Sequence, residues 1–144
     1  MPLAQLNIAR MRFPLDSVEM ASFVDQLADV NAAAEAADGF VWRLKDADGP
    51  GSTGYRILDD DGLIVNLSVW RDLESLRAFV LGFAQHRDAL RGRSAWFERA
   101  AEPMTVCWLV DEGHEPSVQE AEEMLLLLRG RGPGDGVFPF THRG

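Results

Sequence analysis

The chain is poor in the residues that most often carry disulfide bonds, metal ions or covalent chemistry. Its 144 residues include one cysteine, three histidines and one tyrosine. A single cysteine cannot form an internal disulfide, and Cys107 lies in an apolar run, so we interpret it as a core residue of a reduced, cytoplasmic protein. The histidines have no cysteine or carboxylate partners at metal-ligand spacing, and we predict no metal site.

Positive charge and long apolar runs are also scarce. The chain has 14 Lys and Arg against 23 Asp and Glu, a net charge of −9. Because phosphate binding needs clustered Lys and Arg, we expect no nucleic-acid partner. The longest apolar runs, such as Met124 to Leu128, fall far below the ~20 residues that a membrane span requires. There is also no glycine-rich phosphate loop and no serine nucleophile elbow.

An apolar content of 47% is present instead, enough for residues 1–144 to form one domain. Alternating apolar residues predict strands at 3–11 and 63–70, and aromatic and β-branched residues favour strands at 39–44 and 104–110. Helical spacing of apolar residues predicts two helices, which begin at Asp16 and Asp72. A third helix should follow a capping box at Ser117, and residues 137–140 should add a short edge strand.

The resulting order, β-α-β-β-α-β, is the ferredoxin-like α+β arrangement with an antiparallel sheet and an extra C-terminal helix. With the helices on one face, we expect the second face to be uncovered. That face would carry Gln5, Asn7, Met11, Asn66, Ser68 and Trp70. Such a face favours a partner sheet, so we predict a homodimer in which two sheets stack or close into a barrel around a cavity.

Several motifs occur in fixed order along the chain: LAQLNIARMRFPLD, GFVWRL, VNLSVW, HRDALRGRSAWF and GHEPSVQEAEEMLLLLRGRGP, followed by VFPF. Together they resemble the bacterial family called domain of unknown function 3291, over nearly the whole chain. The resemblance implies the dimeric α+β barrel superfamily, which includes antibiotic-biosynthesis and haem-degrading monooxygenases. It also implies a cavity in which an Asn, a Trp and a His meet a planar organic substrate or haem.

The resemblance assigns roles to particular residues. Asn7 matches the strand asparagine of the family, and Trp70 ends the strand before the second helix. His86 lies on that helix, where the haem-degrading relatives carry their axial histidine. Those relatives also carry an essential Trp about three turns earlier, where this chain has Leu76 and Phe79, so haem degradation does not transfer with the fold. From the residues alone, a structural role for His86 is the alternative.

We therefore predict a small-molecule tailoring enzyme, oxygenase- or isomerase-like, that acts on a planar or aromatic metabolite without a tightly bound organic cofactor. His86 would abstract a proton while asparagine and serine groups hold the developing oxyanion. The predicted site residues are the catalytic His86 and Asn7 and the substrate-binding Asn66, Ser68, Trp70 and Phe83. The alternatives are a haem-binding protein with His86 as axial ligand and a non-catalytic dimeric binding module whose cavity is filled by its own side chains.

Overall fold

The computed structural model describes residues 2–14, 16–45, 57–58, 60, 62–85, 97–98, 104–134 and 136–139, with positions 27, 28 and 82–85 described through their backbone. The strands are β1 (Leu3–Arg10), β2 (Phe40–Arg43), β3 (Leu63–Trp70), β4 (Thr105–Leu109) and β5 (Val137–Phe138). The helices are α1 (Ala21–Ala36), α2 (Leu73–Gln85) and α3 (Val118–Arg131), and a short 3-10 turn (Val18–Met20) precedes α1.

The strands form one antiparallel sheet in the order β2-β3-β1-β4-β5. Its register runs from the Leu3–Trp70 pair to the Arg10–Leu63 pair between β1 and β3. The predicted β-α-β-β-α-β order, the extra C-terminal helix and the edge strand at Val137 and Phe138 are confirmed. No helix in the described ranges is long and apolar enough to cross a membrane.

One face of the sheet, called here the α3 face, is apolar and packs against α3. It carries Ala4, Leu6 and Ile8 of β1, each at most 1% exposed. Residues Ala121, Leu125 and Leu128 of α3 belong to the same buried cluster. Their i, i+4, i+7 spacing gives the helix one apolar stripe, which is what a helix needs to cover a sheet.

The opposite face, called here the α1/α2 face, carries the other residues of β1. At one end of this face Leu3, Trp70 and Cys107 form a buried cluster with Leu76 of α2. Two residues at the end of α1, Ala34 and Ala37, pack against the same cluster. The Cys107 thiol is fully buried there, which confirms its interpretation as a core residue.

The prediction that one face of the sheet is uncovered is wrong. Ser68 and Trp70 are buried on the α1/α2 face near the end where the first two helices pack, whereas Asn7 is half-buried and Asn66 exposed further along it. The other face is covered by α3. The physical reason is that the apolar stripe of α3 buries the apolar α3 face within one chain. An open sheet face therefore gives no argument for a dimer.

The helix starts agree with the sequence in part. Asp72 accepts the Ser75 N–H at 2.8 Å and Ser117 accepts the Glu120 N–H at 3.1 Å, as expected of capping residues. The predicted start at Asp16 is wrong, because a 3-10 turn intervenes and α1 begins at Ala21. The residues after Gln85, where the second predicted helix would end, lie outside the described residues.

Candidate functional site

Six polar side chains lie in two rows across the middle of the α1/α2 face. We call them the polar patch: Arg43, Ser68 and Gln5 in the first row, and Asn66, Asn7 and Thr105 in the second. Directly opposed residues of neighbouring strands point to the same side, with strands about 4.8 Å apart. The register therefore brings three of the predicted site residues, Asn7, Asn66 and Ser68, into one patch.

The second row supplies free amide donors. Thr105 Oγ1 donates to Asn7 Oδ1 at 3.0 Å, and the Asn7 amide nitrogen has no acceptor among the described residues. Asn66 is exposed, and its side chain makes no hydrogen bond within the part of the chain that the structure describes. Thr105 was missed in the sequence analysis, because its role depends on the register between β1 and β4.

The first row couples Ser68 to Trp70. Trp70 Nε1 donates to Ser68 Oγ at 3.0 Å, and both residues are buried. The Trp70 ring stacks on Phe79 at 5.2 Å and meets the edge of Phe40 at 5.5 Å. Among the described residues, the Ser68 hydroxyl hydrogen has no acceptor, so it can be donated to a ligand. The indole is enclosed by the chain's own aromatic residues, and substrate contact by Trp70 or Ser68 stays a prediction.

The one charged residue of the polar patch is neutralised by α1. Arg43 Nε donates to Glu35 Oε1 at 2.7 Å, and Lys45 lies 3.8 Å from the other carboxylate oxygen. The hydrogen bond from Arg43 lowers the pKa of Glu35 below its usual value. The carboxylate is therefore ionised at neutral pH, and the patch presents mainly uncharged donors and acceptors to a ligand.

The described part of the polar patch has no general base. Cys107, which pairs with Gln5 on the same face, has a pKa raised to about 12 because burial disfavours the thiolate. The predicted base, His86, lies outside the described residues, and the side chain of Phe83 is not described. Within the described ranges, no three His, Cys, Asp or Glu residues cluster as a metal site.

A separate surface pocket of about 450 Å³ lies where α1 ends and α2 begins. Its cation, Arg71, donates to both carboxylate oxygens of Asp38 at 3.3 and 3.1 Å and to Ser75 at 3.0 Å. Phe79, which stacks on Trp70, separates this pocket from the interior. Because its arginine is already bound, we place the candidate site at the polar patch instead.

The fold and the patch define an α+β protein whose sheet carries polar groups beneath a pair of helices. The chain belongs to the family described as domain of unknown function (DUF3291), whose model matches residues 2–144, and the resemblance drawn from the sequence is confirmed. No curated protein matches the chain.

Two solved structures are similar, and both are of SnoaB, a cofactor-independent oxygenase from Streptomyces nogalater. One is of a mutant form, which is 20% identical, covers 81% of this chain and 98% of its own, and has a TM-score of 0.48. The second structure is 21% identical, with coverages of 77% and 94% and a TM-score of 0.47.

Proposed function

We propose that the protein is a small-molecule tailoring enzyme, oxygenase- or isomerase-like, that acts on a planar or aromatic metabolite without a tightly held organic cofactor. The observation that carries this proposal is the polar patch. Among the described residues, the amide nitrogens of Asn7 and Asn66 have no acceptor and Ser68 has a hydroxyl hydrogen left to donate, on a sheet face that is apolar at one end. A flat ring could lie between the sheet and the helices with its oxygen on these donors.

Such donors favour reactions in which negative charge develops on a ligand oxygen. Hydrogen-bond donors fixed by the fold stabilise an oxyanion without reorganising at the moment of reaction. Thr105 fixes Asn7 through its Oδ1, and Trp70 fixes Ser68 through its Oγ, so the strands hold both groups in place. The ligand would lose a proton and leave its charge on an enolate or phenolate oxygen bound here.

We propose His86 as the base that takes this proton. The α2 helix begins beside Trp70, and Leu76 packs in the cluster with Leu3. From Leu76 to Gln85 a helix rises about 13 Å, which matches the strand distance from Leu3 to Asn7. The described part of α2 thus runs from the Leu3 end towards the Asn7 end of the patch, and this course up to Gln85 supports the proposal.

Oxygen uptake tests the proposal, with anthrone, 1-naphthol and hydroxynaphthoquinones as probes. Anthrone has an acidic CH2 group; its carbanion can add O2, and loss of water then gives a C=O group, so that one O2 is consumed for each ring oxidised. An absorbance change without oxygen uptake would indicate isomerisation instead. We expect turnover by the native protein, lowered about 100-fold or more in His86→Ala, because a general base contributes at least that factor.

His114→Ala is the matched control, since His114 bonds to Glu120 at the start of α3, away from the patch. Equal loss in both variants, or no loss in His86→Ala, would contradict the base assignment. No protein-dependent change with any probe would contradict the enzyme proposal and favour a binding module. That alternative has one supporting observation, since Phe40, Trp70 and Phe79 fill the apolar end of the face. A Soret shift on adding haem that disappears in His86→Ala would instead support haem binding.

We also propose that the protein is a cytoplasmic homodimer. The buried free thiol of Cys107 supports a reducing compartment. The dimer is what the family resemblance noted in the sequence implies, and exposed leucines such as Leu81, Leu109 and Leu126, each 42–50% exposed, are available for a contact between copies. Light scattering after size exclusion should give twice the chain mass of 16.0 kDa. A mass of one chain at micromolar concentration would contradict the dimer.

A further inference from the structure

One stripe of α2 faces away from the sheet. Leu76 and Val80 pack in the buried cluster on the sheet, and Ser75 lies against Gly39 just after α1. The stripe that remains, called here the outer stripe, has the i, i+3, i+4, i+7 spacing of one helix side: Glu74, Arg77, Ala78 and Leu81. Glu74 and Ala78 are exposed and also border the pocket at the end of α1, Leu81 is 42% exposed and Arg77 is half-buried. The described part of the fold therefore leaves most of this side of α2 uncovered.

Arg77 has a donor that the described residues do not satisfy. Its Nε has less than 1 Å² of accessible surface and no hydrogen-bond partner among them. A buried N–H without an acceptor is costly and uncommon, so a partner from outside the chain is a reason to retain it. A guanidinium matches a carboxylate, which accepts from Nε and a terminal nitrogen together once the side chain turns outward. Arg77 therefore indicates contact with a carboxylate.

Glu74 supplies an unpaired carboxylate on the same stripe. It is exposed and makes no ion pair among the described residues, and no hydrogen bond joins it to Arg77 one turn later. Arg71, the cation at the start of α2, is occupied by Asp38 and Asp72. The outer stripe thus carries one acidic and one basic group that both lack a partner in the described part of the chain.

We propose that the outer stripe binds the same stripe of a second copy of this chain, with the two α2 helices antiparallel. A two-fold axis makes an interface self-complementary, because residue i contacts residue j and j contacts i. Arg77 of each copy then meets Glu74 of the other, so that one contact contains two ion pairs. Ala78 allows the helices to approach closely, and Leu81 adds an exposed apolar group. This inference rests on the homodimer in the proposed function and names the surface through which it forms.

Charge reversal tests the pairing, with Arg77→Glu and Glu74→Arg studied alone and as an equimolar mixture. Sedimentation equilibrium gives the dissociation constant of each dimer. In each single variant the facing charges are alike, so this constant should rise at least about tenfold. In the mixed dimer both facing pairs are again opposite in sign, so the constant should return to within about threefold of the native value. An ion pair within one helix could not give this rescue, because mixing leaves each chain unchanged.

Glu123→Arg is the matched control, because Glu123 is exposed on α3, which covers the other face of the sheet. Its dissociation constant should stay within about twofold of the native value. Circular dichroism checks the folding of each variant. If Arg77→Glu does not fold, Arg77→Leu takes its place, and its mixture with Glu74→Arg should still associate more tightly than Glu74→Arg alone.

Three results would overturn this inference. A native dimer that neither reversal weakens, or single losses without rescue on mixing, would contradict the pairing and leave the proposed homodimer standing. A loss in Glu123→Arg as large as that in Glu74→Arg would also contradict it, since the effect would then not depend on α2. A native protein that stays a single chain at micromolar concentration would overturn the homodimer together with this inference.

Discussion

The hydrogen bond between Trp70 and Ser68 gives the sharpest quantitative prediction. Trp70→Phe keeps an aromatic ring between Phe79 and Phe40 but removes the Nε1–H that donates to Ser68 at 3.0 Å. We expect Trp70→Phe to lower the free energy of unfolding by about 1 kcal/mol for the lost hydrogen bond. The missing part of the indole should lower it by about 1–2 kcal/mol more, since Trp70 is 2% exposed. Ser68→Ala should cost about 1–3 kcal/mol, because it leaves the Trp70 N–H buried without a partner.

The double variant separates the bond from the packing. When both partners of the bond are removed, no buried polar group is left unpaired. The decrease in unfolding free energy of the double variant should therefore be about 1 kcal/mol smaller than the sum of the decreases in the two single variants. Urea unfolding followed by circular dichroism measures each free energy of unfolding. This signal does not depend on the tryptophan fluorescence, which Trp70→Phe itself changes. Losses that add to within about 0.3 kcal/mol would refute the coupling and the claim that Trp70 orients the Ser68 hydroxyl.

Trp108 provides the matched control for this cycle. Its Nε1 donates to Glu120 at 2.9 Å, and it lies on the α3 face. Trp108→Phe also removes an indole donor, but its effect should add to that of Ser68→Ala because the two residues share no partner. Coupling of similar size in this pair would show that the measured coupling does not come from the Trp70–Ser68 bond.

Three further predictions concern the framework of the site. Gly39 has φ +88° and an added Cβ would overlap Ser75, so Gly39→Ala should lower the unfolding free energy by about 3 kcal/mol; an unchanged urea midpoint would contradict this. Ser117→Ala should cost about 1 kcal/mol by removing the cap on Glu120, measured in the same way. The pKa of Cys107 is raised to about 12 by burial, so ionisation of the unfolded chain should reduce stability above pH 9, at about 1.4 kcal/mol per pH unit up to pH 12. Cys107→Val should abolish this decrease of the unfolding free energy with rising pH.

The secondary structure was largely predictable because its signals are local. Alternation in β3 and the capping residues Asp72 and Ser117 depend on neighbouring positions only, and the structure agrees with them. The start of α1 was not predictable in the same way. Asp16 has the residue type of a cap, but the chain makes a 3-10 turn first, and Ser17 bonds to Pro14 instead of capping the helix.

The candidate site was predictable only where alternation within a single strand shows which residues share a face. Alternation put Asn66 and Ser68 on one side of β3, and the same pattern selected Asn7. Thr105 needed the register of β4 against β1, which no local signal gives.

Which helices cover each face of the sheet decides how the site can work. This depends on contacts between residues that are far apart in the sequence. Period-two alternation tells which residues share a face, but it does not tell which face a helix will cover. Leu125 and Leu128 of α3 bury the apolar face within the chain, so the polar residues lie on the face whose other end packs against α1 and α2. The ligand groups proposed on Asn7 and Asn66 are paired across β1 and β3 of one chain, and a second copy is not needed to bring them together.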